Sequence, residues 1–181
     1  NEQHDREGGL IFGRAEQPLL LLRASRTRRS LWQLLRTLTT PATYADPHQD
    51  WLLLALARLA SSLQHNALIL VLADFNQPAP RLEAQLAQLR QRHEVVLFPV
   101  DDPCDRELPA VGSVLFTGPD GQQLWLDTDD GASRTHYQAA WRARREALGT
   151  MANRLGVGLA PLDTATEIHE VLRQGLQQLA R

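Results

Sequence analysis

The sequence contains no lysine, a single cysteine and almost no net charge. Its nineteen arginines face 21 acidic residues, so the formal net charge is −2. A chain this close to neutral lacks the positive excess that attracts nucleic acid, and no nucleic-acid partner is expected. The lone Cys104 excludes an internal disulfide bond and any zinc site with several cysteine ligands. We therefore expect a reducing compartment, the cytoplasm.

Long apolar runs and catalytic signatures are lacking as well. The apolar runs fall well short of the roughly 18 residues that a membrane span requires, so no span is expected. Gly156 and Gly158 follow a predicted helix, whereas the glycines of a dinucleotide-binding loop precede one. Cys104 has no histidine nearby in the sequence to activate it as a nucleophile. The sequence thus predicts no catalytic residue, no organic cofactor and no enzyme activity.

The sequence does contain an alternation of strands and helices. Residues 68–73 are six consecutive apolar residues, which predicts a strand covered on both faces, as in parallel sheets. Leucines at helical spacing follow over 81–92, and a second apolar strand is predicted at 94–100. This order is typical of an α/β fold with a mainly parallel sheet flanked by helices.

The remaining elements fit one domain of 181 residues. Two short strands are predicted at 8–12 and 18–22, and a β-hairpin is predicted around the Gly-Pro-Asp-Gly turn at 118–121. A last short strand is predicted at 157–161. Apolar spacing predicts further helices at 30–39, 50–64, 133–155 and 166–180.

Asp74 is the best-placed polar residue, because it directly follows the apolar strand. Ligands of open α/β sheets bind just beyond the carboxyl ends of the strands. Asp74 could bind a divalent cation there, or it could accept hydrogen bonds from the backbone of the next turn. An enzyme using a metal at Asp74 would need two more carboxylates, and Asp101 and Asp102, which end the next strand, are the candidates.

Two further groups of residues have both a structural and a functional interpretation. Asp46, His48 and Asp50 could bind a metal, although capping of the following helix is the favoured explanation. A cluster of arginines is interpreted either as a solvated face or as a contact for phosphate or an acidic partner surface. Its members are Arg23, Arg26, Arg28 and Arg29.

Several segments together resemble a known bacterial family. They are Asp-Asp-Pro-Cys-Asp-Arg-Glu-Leu-Pro at 101–109, the hairpin at 118–121 with the Leu-Asp-Thr that ends it, Asp-Arg-Glu-Gly-Gly-Leu-Ile-Phe at 5–12, and Ala-Asp-Phe at 73–75. Their order and spacing resemble the domain of unknown function 58 family. Its members carry a von Willebrand factor A-like domain and often accompany MoxR-type AAA+ ATPases.

The resemblance implies a Rossmann-like, von Willebrand factor A-like fold that lacks its first strand and helix. The missing part would carry the Asp-x-Ser-x-Ser metal motif, so Asp74 alone aligns with a position of that metal site, and Thr40 or Thr43 would supply its threonine ligand. Family members also carry upstream membrane helices. The chain is therefore interpreted as an N-terminally truncated fragment, residues 1–181, of a parent that binds Mg²⁺ and is anchored in the inner membrane.

The resemblance implies a non-enzymatic protein-interaction module that works with a MoxR-type AAA+ ATPase in protein assembly or maturation. The alternative is a metal-dependent hydrolase or phosphoryl-transfer enzyme that uses Asp74. The missing strand would lie between the strand at 8–12 and the strand at 68–73, so its absence would leave two open sheet edges, and open edges recruit other chains. We expect this gap to be closed by rearranged pairing, by a second copy in a homo-oligomer, or by a separate fragment.

Overall fold

A computed structural model describes residues 6–46, 49–64, 66–76, 80–118 and 121–166. The chain divides into two compact units, residues 1–62 and 63–181, and each is described by itself. From position 167 onwards, the helix predicted at 166–180 lies outside the described residues, as does His48. Among the described residues, no helix is long and apolar enough to cross a membrane.

The first unit is an antiparallel hairpin with two helices. Strands β1 (Glu7–Phe12) and β2 (Leu19–Ser25) pair with each other and are followed by helices α1 (Arg28–Thr39) and α2 (Trp51–Ser62). The Asp50 side chain accepts a hydrogen bond of 3.1 Å from the amide of Leu53, as its predicted capping role requires. Helix α1 lies so close to β1 that a Cβ on Gly9 would come within 2.6 Å of the Leu34 side chain.

The second unit is a parallel sheet with helices and a hairpin. Strand β4 (Glu94–Asp101) pairs in parallel with β3 (Leu68–Ala73), β7 (Gly158–Leu159) and β8 (Leu162–Asp163). Strands β5 (Ser113–Thr117) and β6 (Gln123–Asp127) form the predicted antiparallel hairpin. The helices are α3 (Pro80–Arg90), the short α4 (Pro103–Arg106) and α5 (Gly131–Leu155). The predicted α/β class, with a parallel sheet, helices and a hairpin, is confirmed.

The core of this unit surrounds β4, whose residues 95–99 are all buried. The leucines that recur at helical spacing in α3 are buried, and α5 contributes Leu148 and Met151. Helix α5 ends where Gly156 adopts a left-handed conformation with φ 63°, as predicted from its position after the last apolar residue. The buried residues of α3 are Leu82, Leu86 and Leu89.

The prediction that both faces of β3 are covered is wrong. Ile69 and Val71 are buried, but Leu68, Leu70 and Leu72 are between 43% and 55% exposed. An unbroken apolar run shows that both faces of a strand can be buried. It does not show what covers each face, and the described residues of this chain do not cover both faces of β3. Strand β3 is also an edge strand within the described residues, since β4 is its one partner there.

The open edge of β3 bears on the expectation, implied by the family resemblance, that a neighbouring strand is missing. In the part of the chain that the structure describes, no strand other than β4 pairs with β3, so rearranged pairing does not close this edge there. Closure by a second copy or by a separate fragment therefore stays a prediction.

Candidate functional site

The candidate site is the edge of the parallel sheet at which β3, β4 and β8 end. Asp74 directly follows β3, Asp101 is the last residue of β4, and Asp163 is the last residue of β8. Asp101 and Asp163 are register partners across the two parallel strands. Because the strands are parallel, three carboxylate-bearing residues occur at the edge where open α/β sheets bind ligands.

Arg145 of α5 joins the ends of β3 and β4. Its Nε donates to both carboxylate oxygens of Asp101, at 3.0 and 3.2 Å, and its Nη2 forms an ion pair with the same carboxylate. The Nη2 group also donates to the main-chain carbonyl of Asp74 at 2.6 Å, and Nη1 donates to that of Phe75 at 3.4 Å. A guanidinium thus binds the β4 carboxylate and two β3-end carbonyls at once.

The backbone at the end of β3 is strained where Arg145 holds it. Phe75 is buried and has φ 46°, a left-handed conformation that costs a bulky side chain on the order of 1–3 kcal/mol. Burial of its ring and the hydrogen bonds to Arg145 offset that cost. Trp141, one turn earlier on α5, lies with its ring centre 6.0 Å from the guanidinium carbon of Arg145. Arg145 is therefore fixed by contacts on several sides.

The Asp74 side chain itself is exposed and contacts the turn that follows. It accepts a hydrogen bond of 2.7 Å from the Asn76 side-chain amide. The sequence predicts that Asp74 either caps the backbone of the next turn or binds a metal; the partner seen in the structure is a side chain. The Asp74 carboxylate and the Asp74 carbonyl thus have different partners, Asn76 and Arg145.

Asp102 is committed to the start of α4. Its carboxylate accepts from the Cys104 amide at 3.0 Å and from the Thr164 hydroxyl at 2.7 Å, while Asp105 accepts from the Asp102 amide at 2.9 Å. This is a reciprocal capping box. The hydrogen bond from the Cys104 amide, followed by that from Thr164, lowers the pKa of Asp102 below its ordinary value.

A lowered pKa at Asp102 makes the folded state sensitive to acid. The unfolded chain has the ordinary Asp pKa of about 3.9, so the contribution of Asp102 is present above that pH. It is lost as the pH falls through the lower pKa of the folded state. In urea unfolding at pH 7 and pH 3, Asp102→Asn should therefore lose less stability between the two pH values than the parent chain. Glu94→Gln, on the exposed start of β4, is the control; equal losses in the parent and in Asp102→Asn would contradict the assignment.

The third carboxylate of the edge is paired with a second arginine. Arg106 of α4 forms an ion pair with Asp163, whose other carboxylate oxygen accepts from the Ala165 amide at 2.7 Å. Within the part of the chain that the structure describes, no group of three or more His, Cys, Asp or Glu residues could hold a metal ion. At this edge, arginines bind the carboxylates of Asp101 and Asp163.

The threonines that the family resemblance assigns to the metal site lie in the first unit, and each already has a partner. The Thr40 hydroxyl donates to the Arg36 carbonyl at 2.7 Å, and the Thr43 hydroxyl donates to Glu16 at 2.9 Å. These bonds respectively close the last turn of α1 and tie the following loop to the hairpin turn.

The sequence indicates Asp74, Asp101 and Asp102 as candidates, but not Arg145 or Asp163. Arg145 is one of three arginines within four residues, and sequence offers no means of choosing among them. The choice depends on how α5 packs against α3, α4 and β7, which places residue 145 against the strand ends. The sequence signal for such a partner was indirect. Asp101 ends a strongly apolar strand, and a carboxylate that is buried there requires a partner.

The fold and the site define an α/β protein in which internal arginine–aspartate pairs close the carboxyl edge of the parallel sheet. The model of the family described as Protein of unknown function DUF58 matches residues 1–147, and the chain belongs to this family. No curated protein and no solved structure matches the chain.

Proposed function

We propose that this chain is a non-enzymatic protein-interaction module with a von Willebrand factor A-like fold. The observation that carries the proposal is the position of Arg145. Its guanidinium binds the Asp101 carboxylate and the main-chain carbonyls of Asp74 and Phe75, at the edge where a ligand of an open α/β sheet would bind. Because Arg145 already occupies the Asp101 carboxylate, this edge is not arranged to hold a metal ion or a reacting group, and a binding role is the simpler proposal for the chain.

The topology supports the proposed fold. The parallel arrangement of β3, β4 and β7 in the second unit fits part of a von Willebrand factor A-like sheet without its first strand and helix. The missing strand would pair with the edge of β3 that has no partner among the described strands, beside the exposed leucines of that strand.

The proposed partner is a MoxR-type AAA+ ATPase, and the proposed process is the assembly or maturation of other proteins. The proposed location is the cytoplasm, with the parent protein anchored in the inner membrane. This part of the proposal extends the family resemblance, which is an argument by association.

Calorimetric titration of the chain with the purified MoxR-type ATPase of the same organism tests the partner. We expect saturable binding in at least one nucleotide state, with ATP, with ADP or without nucleotide. The absence of binding in all three states would contradict the proposed partner.

No contact among the described residues favours the alternative, a metal-dependent hydrolase or phosphoryl-transfer enzyme using Asp74. That chemistry needs further carboxylates beside Asp74. The Asp101 carboxylate is bound by Arg145, and that of Asp102 caps α4. The interaction module is therefore the preferred proposal.

A metal titration distinguishes the two functions. If ten millimolar Mg²⁺ is about 100 times the Kd of the site, metal binding would raise the free energy of unfolding by about 2.7 kcal/mol. For a chain of this size, that corresponds to a rise in Tm of about 5–10 °C. We expect a shift below about 1 °C with Mg²⁺ or Mn²⁺, the same in Asp74→Ala. A large rise in Tm that is lost in Asp74→Ala would support the metal-dependent alternative instead.

A further inference from the structure

Helix α1 of the first unit exposes most of its apolar side chains. Leu31, Leu35 and Leu38 recur at the spacing of one helix face, and with Trp32 they are between 39% and 69% exposed. No residue of α1 is buried. Leu34 packs over Gly9 of β1 and is less exposed than Leu31, Leu35 and Leu38.

The same segment carries positive charge alone. Residues 17–45 contain five arginines and no aspartate or glutamate. All five are exposed, and in the described ranges none of them forms an ion pair. They are Arg23, Arg26, Arg28, Arg29 and Arg36.

A groove of about 540 Å³ lies beside α1. Gln33 and Arg36 of the helix line it together with Arg14, Glu16 and Gln17 from the hairpin turn. Arg14 is held in place because it donates to the Thr37 carbonyl at 2.8 Å, near the end of α1. The groove therefore offers guanidinium and amide donors in a concave arrangement, beside one carboxylate, Glu16, that already accepts a hydrogen bond from the Thr43 hydroxyl.

We infer that α1 docks an acidic amphipathic helix of a partner protein. The docking surface, called the α1 surface, combines an apolar stripe with positive charge. It consists of Leu31, Trp32, Leu35 and Leu38 with Arg28 and Arg36. Exposed apolar patches that contain Trp and Arg are typical of interface hot spots. The apolar side of the partner helix covers the leucines, and its carboxylates bind Arg28 and Arg36, the second of which stands at the rim of the groove.

The groove favours a protein over a membrane as the occupant. Guanidinium groups form directional, bidentate hydrogen bonds with carboxylates, which a concave wall can orient. A lipid surface is flat and would leave the groove unfilled. This inference rests on the proposed function and deepens it, because it names the surface and the chemistry of the partner.

The test uses the full chain and a defined probe. The probe is a fluorescein-labelled peptide with three repeats of Leu-Glu-Glu-Leu-Leu-Glu-Glu, and its binding is followed by fluorescence anisotropy. We expect saturable binding in the micromolar range, weakened about tenfold or more by Leu35→Ser and by Arg36→Glu. The same peptide with Gln in place of Glu should bind far more weakly.

Matched controls lie in the second unit. Leu124→Ser removes an exposed leucine of β6, and Arg142→Glu reverses an exposed arginine of α5; neither should change binding of the probe. Thermal unfolding of each variant verifies that it is folded, and the more exposed Trp32→Ala replaces any variant that is not. The inference is overturned if the parent chain does not bind the probe, or if the α1 variants bind as well as the parent.

A second arm tests the lipid alternative. Vesicles of phosphatidylcholine with phosphatidylserine should show no binding that depends on Leu35 or Arg36. Vesicle binding that these two substitutions abolish, in the absence of probe binding, would overturn the inference in favour of a membrane surface.

Titration of the α1 variants with the MoxR-type ATPase separates this inference from the proposed function. If the ATPase binds the parent and the α1 variants equally, the inference fails and the proposed function stands. If binding of the probe depends on the α1 surface but the ATPase binds in no nucleotide state, the proposed partner is wrong and the inference about the α1 surface is supported.

Discussion

Replacing Arg145 by alanine should lower the free energy of unfolding by about 3–5 kcal/mol, because it leaves a buried carboxylate without its partner. Asp101 is buried, and Arg145 supplies its ion pair and the hydrogen bonds at 3.0 and 3.2 Å. The same substitution frees the main-chain carbonyls of Asp74 and Phe75, so the strained end of β3 loses its hold. Urea unfolding of the two proteins measures the difference.

The matched control is Arg142→Ala, on the exposed side of the same helix, which should change stability by less than about 0.5 kcal/mol. The double variant Asp101→Asn with Arg145→Met removes both charges together. It should recover part of the loss, because no uncompensated charge remains buried. A loss below about 1 kcal/mol for Arg145→Ala would contradict the role assigned to this ion pair.

Leu97→Ala should cost about 2–5 kcal/mol, whereas Leu70→Ala on the neighbouring strand should cost about 1 kcal/mol. Leu97 is completely buried at the centre of β4, and truncating it leaves a cavity. Leu70 is 43% exposed, so its truncation removes less buried surface. Both substitutions delete the same atoms from adjacent strands of one sheet, and this makes the comparison a measure of burial. Equal costs would show that the outer face of β3 is covered in solution.

Secondary structure could be predicted well where periodicity or a cap was specific. The bounds of β3 follow from its six apolar residues, and Gly156 marks the end of α5. The short helix α4 was not predicted, because four residues carry no periodicity. Its signal is the capping box formed by Asp102 and Asp105, which is recognised with certainty when both hydrogen bonds are seen.

Burial and partners were harder to predict than element type. An apolar run such as β3 has the same sequence whether this chain or a partner covers its outer face. The carboxylates of the site at the strand ends could be predicted, because the order of strands places Asp74 and Asp101 at one edge of the sheet. Arg145 was missed because its contact is set by the packing of a helix that begins thirty residues after Asp101.

The central claim is that the Arg145 guanidinium closes the carboxyl edge of the sheet. Side-chain ¹H–¹⁵N spectra of arginine test it directly, because a hydrogen-bonded Nε–H exchanges slowly with water. We predict a protected Nε–H signal that disappears in Arg145→Met and does not shift when millimolar Mg²⁺ is added. If that variant loses no protected signal, or if Mg²⁺ displaces the signal, the edge is an open site and the account is contradicted.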